Sequence, residues 1–194
     1  MKKEITRWKK IGKYQDIFRS KYGQFIGKQL FKHPVTGKEE EYVFHGEGDG
    51  VRVLGLTDDK KVIAIREYQH AVDEIIVQLP TGGTKEKEKP QKAARRELLE
   101  ETGYRAAKII DLGESYSLPR SSPTKEYSFL ALGCKKIKNQ KLDSSEQIEI
   151  LEIPLSEWIN LVQKGEIKQD VSAVATFRAL RHLGLLNLLE QKSF

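Results

Sequence analysis

Three glutamates crowd one short stretch of this chain: Glu97, Glu100 and Glu101, directly after Arg96 in the run RELLEETGY. At about 100° per residue, a helix places all three carboxylates within an arc of roughly 100°. Adjacent like charges on one helix face repel by about a few tenths of a kcal/mol per pair. Arg96 stands one turn before Glu100, at ion-pair spacing, and offsets only part of that repulsion. A hard divalent cation offsets it better, because Mg²⁺ prefers carboxylate oxygen and keeps waters for a phosphate or a nucleophile. A glutamate-rich helix is also what an ordinary solvated face looks like, so the surrounding spacing decides between the two.

That spacing is specific. Gly82 is followed after five residues by Glu88, and after seven more by Arg96, with Gly103 closing the run. Seven fixed identities at a usage of about 7% each correspond to on the order of 10⁻⁸ per start position. The stretch GGTKEKEKPQKAARRELLEETGY resembles the Nudix box, G-x5-E-x7-R-E-U-x-E-E-x-G-U with U a large apolar residue. Tyr104 departs from the usual aliphatic at the last position, which is a packing position. The resemblance implies hydrolysis of a nucleoside diphosphate linked to another group, with Mg²⁺ or Mn²⁺ as the cofactor. It also implies that Glu97 and Glu101, with Glu100, carry the metal, and that the backbone carbonyl of Thr81 is a further ligand.

The elements that must position these groups are legible around the box. Pro90 suits a first helical turn, Ala93 to Glu101 are mostly strong helix formers, and Gly103 suits a left-handed stop. Leu98 and Leu99 point away from the carboxylates, toward a packed surface. EIIVQLPTGG leads into the box, and its Gly-rich turn is expected to leave carbonyls free because no ladder uses them. Glu88 is expected to bond within the loop and to Arg96.

Upstream, residues 1–45 read as short strands forming a small antiparallel sheet, with a turn at His33–Gly37. Their aromatics, Tyr14, Phe18, Tyr22, Phe25 and Phe31, are expected in a core or a dimer contact. The resemblance extends to ADP-ribose pyrophosphatases, whose N-terminal strands exchange between subunits and hold adenine, so Tyr22 is a candidate base contact. VRVLGLTDDKKVIAIREYQ is a hairpin turning at Thr57–Lys60. Relatives with ADP-ribose activity carry an arginine just after the tyrosine of its second strand. This chain has Gln69 there, which leaves Arg66 as the substitute cation; His70 is assigned no catalytic role. Gln78 stands where many relatives have Glu.

Downstream, the resemblance identifies Pro119, sixteen residues past Gly103, as a marker of the ADP-ribose pyrophosphatase branch. Arg120 follows it where glycine is typical, and could meet a phosphate. An acidic loop then supplies Glu146, matching the glutamate that takes the proton from water in relatives, with Glu126 a second candidate. A short helix, Gly165-Glu166-Ile167, and an amphipathic helix capped at Asp170 close the pattern, with Val171, Val174, Phe177 and Leu180 read as core. Glu146, Glu100 and Arg96 are the expected catalytic set.

At 194 residues the chain is long enough to bury a core. Its +6 net charge comes from scattered lysines without an aromatic-interleaved basic stripe, which argues against nucleic acid and for small polyphosphates. No apolar run approaches a membrane span, and the lysines of the N-terminus precede no apolar core. The lone Cys134, in an apolar run, reads as a core thiol in a reducing cytoplasm. The expected architecture is therefore α/β, a Nudix-type α/β/α sandwich with a mixed sheet (residues 46–194), preceded by the antiparallel strands of residues 1–45 and forming a homodimer. The expected reaction releases a nucleoside monophosphate and a sugar phosphate from ADP-ribose or a nucleoside diphosphate sugar. Hydrolysis of nucleoside triphosphates or dinucleoside polyphosphates, and a ligand-sensing domain without catalysis, are the alternatives.

Overall fold

The computed structural model describes residues 5–143 and 146–186. The chain forms two compact units, the first running up to Gly48 and including Tyr116–Thr124, the second made of Asp49–Ser115 and the chain from Lys125 on. The first unit is an antiparallel sheet of β1 (Lys9–Arg19), β2 (Phe25–Lys32) and β3 (Glu39–Gly46), with β2 in the middle. The expected turn at His33–Gly37 is present, closed by the Gly37 N–H donating to the His33 carbonyl. These strands are longer than expected, and Tyr14, Phe18 and Tyr22 are exposed rather than in a core.

The second unit is built on a mixed sheet. β4 (Gly50–Thr57) and β5 (Lys61–Gln69) form the expected hairpin, and β4 pairs in parallel with β10 (Glu126–Lys136). β9 (Lys108–Ser115) and the short β8 (Tyr104–Arg105) pair antiparallel to β10, while β11 (Ile148–Pro154) lies on the other side of β5. The hairpin stays zipped only near its turn, at Gly55↔Ile63 and Leu56↔Val62. Beyond that point the two strands part, and the segment Glu74–Gly83 fills the gap. Its first half is β6 (Glu74–Gln78) on β5, and its second half is β7 (Thr81–Gly83) on β4.

Both faces of the sheet are covered, as the near-continuous apolar runs of its central strands require, successive residues pointing to opposite faces. Val51, Val53, Ile63, Phe129 and Ala131 face one way, against Ala93, Ala94 and Leu98 of α1 (Pro90–Thr102). Leu54, Leu56, Val62, Ala64 and Leu130 face the other way. They meet Trp158 of α2 (Leu155–Gln163) and Ala175 and Ala179 of α3 (Asp170–His182). This is the α/β/α sandwich. Cys134 is buried as expected, and burial pushes its thiol up to about 12, so it is an inert core group.

The last helix corrects two expectations. Val174 and Phe177 are exposed, not core; the buried face carries Val171, Ser172, Ala175, Thr176, Ala179 and Leu180. A repeat of three residues drifts by about 60° per step, so Val171, Val174 and Phe177 walk off the packed face. The small residues of that face let the helix lie close to the sheet. Asp170 is also the first helical residue rather than the cap; Gln169 occupies the cap position, and the Asp170 carboxylate accepts the Val171 N–H, at 2.6 Å. Leu180→Ala is expected to lower stability by about 2–5 kcal/mol, and Phe177→Ala by no more than about 0.5 kcal/mol. Equal losses of the two variants in denaturant unfolding would contradict this orientation of the helix.

Candidate active site

α1 begins with Pro90 at its first position and ends at Gly103, whose φ of +74° is the left-handed stop. A Cβ on Gly103 would lie 2.0 Å from the Lys138 carbonyl oxygen, so glycine is required there by space as well as by φ. The chain after β10 is tied to this helix end: Lys141 N–H donates to the Glu100 carbonyl and the Gln140 amide to that of Glu101. Tyr104 fills its packing position and donates its hydroxyl to Glu152.

The helix face carrying the three glutamates borders a cavity of about 400 Å³. Its wall holds Thr81, Gly82 and Gly83 of β7, Arg96, Glu97, Glu100 and Glu101 of α1, Lys85, and Lys141, Asp143 and Glu146. Five carboxylates there stand against three cations. Burial grades with angle around the helix: Glu101 is 5% exposed, and the side chains of Glu97 and Glu100 are 13% and 35% exposed. Burial raises the Glu97 carboxyl above its ordinary range and the Glu101 carboxyl well above it, since taking a carboxylate out of water disfavours its charge.

Arg96 is the hub. Its Nε and Nη2 grip Glu88 at 3.1 and 2.8 Å, Nη1 meets Glu97 at 2.6 Å and Glu100 at 3.2 Å, and Nη2 also donates to the Gly83 carbonyl at 2.9 Å. The grip holds the Glu88 carboxyl down to about 2, and Glu88 also accepts the Lys85 N–H, as expected of a loop-bonding residue. Glu97 lies against Gly82 so closely that a Cβ there would come within 2.2 Å of its carboxylate.

The TGG turn is a strand, not the unladdered loop expected. Along an antiparallel ladder, bonded and non-bonded pairs alternate. Val53 N–H donates to the Pro80 carbonyl and Thr84 N–H to that of Asp49, which makes Arg52↔Thr81 a non-bonded pair. The N–H and carbonyl of Thr81 therefore face away from β4. Its N–H donates to Glu101 at 2.9 Å, and its carbonyl is available for the reason the ladder gives.

The structure thus brings Thr81, Gly82, Arg96, Glu97, Glu100, Glu101 and Glu146 to one cavity. It does not bring Arg66 or Glu126 there. Arg66 pairs with Glu149 at 2.9 Å across β5 and β11, and Glu126 pairs with Arg52 at 3.3 Å. Arg66 alternates onto the side of β5 that carries Val62 and Ala64, away from α1, which the sequence position near the strand end did not reveal. Tyr22, Pro119 and Arg120 belong to the first unit, where Pro119 and Arg120 sit in a turn closed by Ser121 and Ser122 N–H groups on the Leu118 carbonyl. Sequence reasoning missed Lys85, Lys141 and Asp143, loop residues without a spacing signal. It also missed Glu67, whose place one residue after Arg66 puts it on the opposite side of β5. Gln69 and Gln78 each donate an amide to Glu67, at 2.9 and 3.0 Å.

Among the described residues no three Asp, Glu, His or Cys side chains already form an ion cage; the glutamates are turned onto Arg96 and Thr81. The donor set nevertheless fits a divalent ion. It is all hard oxygen, it has more acids than cations, and burial holds its two most buried carboxyls above their ordinary range, Glu97 despite its contact with Arg96.

A family model described as NUDIX domain matches residues 46–174. The chain belongs to the NUDIX family, and it is an enzyme of that family, a Nudix hydrolase. The ADP-ribose pyrophosphatase of Bacillus subtilis (strain 168) is 28% identical over 175 residues, covering 90% of this chain and 87% of that protein. The GDP-mannose pyrophosphatase of Cronobacter sakazakii is 27% identical over 172 residues, covering 81% and 87%. A solved structure of an ADP compounds hydrolase shares the fold with a TM-score of 0.80 at 20% identity, covering 94% of this chain and 99% of that one.

The raised Glu101 carboxyl has a consequence for stability. Between its ordinary value of 4.5 and its raised value, the folded chain holds a proton that the unfolded chain has released, so stability falls as pH rises through that window. Glu101→Gln keeps an acceptor for Thr81 and removes the buried charge. In EDTA its melting temperature is expected to exceed that of the natural chain at neutral pH, with the gap closing below pH 4.5. A variant that melts lower at neutral pH would show that the buried carboxylate is not a burden on the ion-free fold.

Proposed function

We propose that this chain is a Mg²⁺-dependent pyrophosphatase, with Mn²⁺ as a substitute. It cleaves the diphosphate of ADP-ribose or a nucleoside diphosphate sugar into a nucleoside monophosphate and a sugar phosphate. The observation that carries the reading is the gathering of Glu97, Glu100, Glu101 and Glu146 around one polar cavity floored by Gly82 and Gly83. The names of its relatives support the substrate class: one is an ADP-ribose pyrophosphatase and another a GDP-mannose pyrophosphatase.

Glu97, Glu100 and Glu101 with the Thr81 carbonyl would hold the ion, which when bound neutralises diphosphate charge and lowers the pKa of a water. The remaining work falls to the chain. Arg96 keeps the carboxylates gathered and ties them to the Glu88 loop. Glu146 takes the proton of the attacking water, for which it must come within about 3 Å. It starts from a hydrogen bond with the Asp143 N–H at 2.8 Å. Lys85 and Lys141 stand in the cavity wall, placed to meet phosphate oxygens. Arg66, Arg120 and Tyr22 remain proposed substrate contacts on residue chemistry, Tyr22 beside the Lys21 ammonium at 4.8 Å.

A homodimer through the first unit is part of the proposal, supported by the exposed Tyr14, Ile17 and Phe18 on β1. A cytoplasmic setting is proposed on the free, buried Cys134; no described helix is long and apolar enough to cross a membrane.

Turnover in Mg²⁺ on ADP-ribose, ADP-glucose, GDP-mannose and a set of nucleoside triphosphates tests the reading. A diphosphate sugar is expected to exceed every triphosphate in kcat/KM by about tenfold or more, with a monophosphate and a sugar phosphate as products. Triphosphates leading the ranking would contradict it.

A further inference from the structure

Beside the carboxylates of the helix lies a chain of buried polar side chains that the proposed mechanism does not use. Ser172, fully buried in the first turn of α3, accepts the Leu79 N–H at 3.1 Å and donates its hydroxyl to the Gln169 amide oxygen at 2.6 Å. The Gln169 amide nitrogen donates to the Gln78 oxygen at 2.6 Å. Gln78 is 1% exposed, and its own amide nitrogen donates to Oε2 of Glu67 at 3.0 Å. Gln69 adds a second amide donor to the same oxygen at 2.9 Å. Oriented this way, each donor of the relay meets an acceptor, and the relay ends on a carboxylate.

That end point lines a separate cavity with Tyr68, Gln69, His70 and Gln147, yet lies within electrostatic reach of the site. Glu67 lies where β5 and β4 part, and it is opposite Ile148 on β11, two residues past Glu146. Its charge is close enough to those of Glu101 and Glu146 for each pair to repel. Two neutral amides, from Gln69 and Gln78, bond the Glu67 carboxylate, and the nearby His70 adds a favourable charge interaction against that repulsion, with no ion pair to Glu67 among the described residues. A structural residue at the end of such a relay would be served as well by glutamine, which needs no compensating cation. Charge, rather than hydrogen bonding, distinguishes the residue that is there.

We propose that Glu67 is a further carboxylate of the divalent-ion site, held in place by the Ser172–Gln169–Gln78 relay, and that its negative charge contributes to ion affinity. This rests on the reading of the site as an ion-dependent pyrophosphatase centre. A fixed charge within several ångströms of a dication in a half-buried setting changes its affinity by about tenfold or more.

The hydrogen bond from Gln78 to Glu67 supplies the test, because exchanging its two ends moves the charge by one hydrogen-bond length. Glu67→Gln retains an oxygen for the Gln69 and Gln78 amides and removes only the charge. In Glu67→Gln/Gln78→Glu, the carboxylate at position 78 accepts from Gln169 and from the new amide at 67, so the chain of bonds is kept with its polarity reversed. Mn²⁺ affinity is read without substrate, by electron paramagnetic resonance of free Mn²⁺ at fixed ionic strength, on full-length proteins of verified fold in EDTA. Glu67→Gln is expected to weaken Mn²⁺ binding about tenfold or more, and the exchanged pair to recover to within about threefold of the natural chain. Unchanged affinity in Glu67→Gln, or an exchanged pair no better than the single variant, would overturn the assignment while leaving the pyrophosphatase reading in place. A natural chain that binds no Mn²⁺ would sink both.

Discussion

Everything in the second unit is arranged around a shortage of positive charge on one helix turn. Glu97, Glu100 and Glu101 are drawn out of water to different depths by the packing of α1 on the sheet, and a single guanidinium serves two of them. Arg96 cannot serve all three, because its Nε and Nη2 are taken by Glu88 and Gly83. Glu101, the deepest, has among the described residues only a backbone N–H from Thr81. A buried carboxylate with one neutral donor is expensive by itself. The arrangement makes physical sense as a receptor for a dication, with Arg96 holding the shape of the site in the ion's absence.

The backbone obeys the same constraint. Gly82 must be glycine because the Glu97 carboxylate occupies the space a Cβ would take. The parting of β4 and β5 admits Glu74–Gly83, and the ladder alternation there turns Thr81 toward α1. Gly103 ends the helix where the Lys138 carbonyl crosses it, and that crossing leads Lys141, Asp143 and Glu146 to the cavity. Gly82, Glu88, Arg96 and Gly103 thus set positions within the box, and the three glutamates of the helix face line the cavity.

Much of this was legible before any coordinates. The box specified the helix, its proline start, its glycine stop and the shared face of the three glutamates, because all of these depend on local geometry and one helical period. The sandwich was expected from the resemblance carried by the box, and the near-continuous apolar runs of β4, β5 and β10 fit a sheet covered on both faces. What escaped was set by pairing across long stretches. Arg66 and Glu67 differ only in which side of β5 they occupy, and the partner Glu149, 83 residues away, settles the fate of Arg66. Lys85 and Lys141 enter the wall through loop paths that no spacing encodes. Val174 and Phe177 misled because a repeat of three residues imitates an apolar helix face over one turn and drifts away over three.

Crystals soaked in Mn²⁺ and measured at the manganese absorption edge test the central claim most directly. The account predicts an anomalous peak at about 2.0–2.4 Å from carboxylate oxygens of Glu97 and Glu101, with Arg96 released from Glu97. A peak absent from that cavity, with Arg96 still bridging the same glutamates, would contradict it.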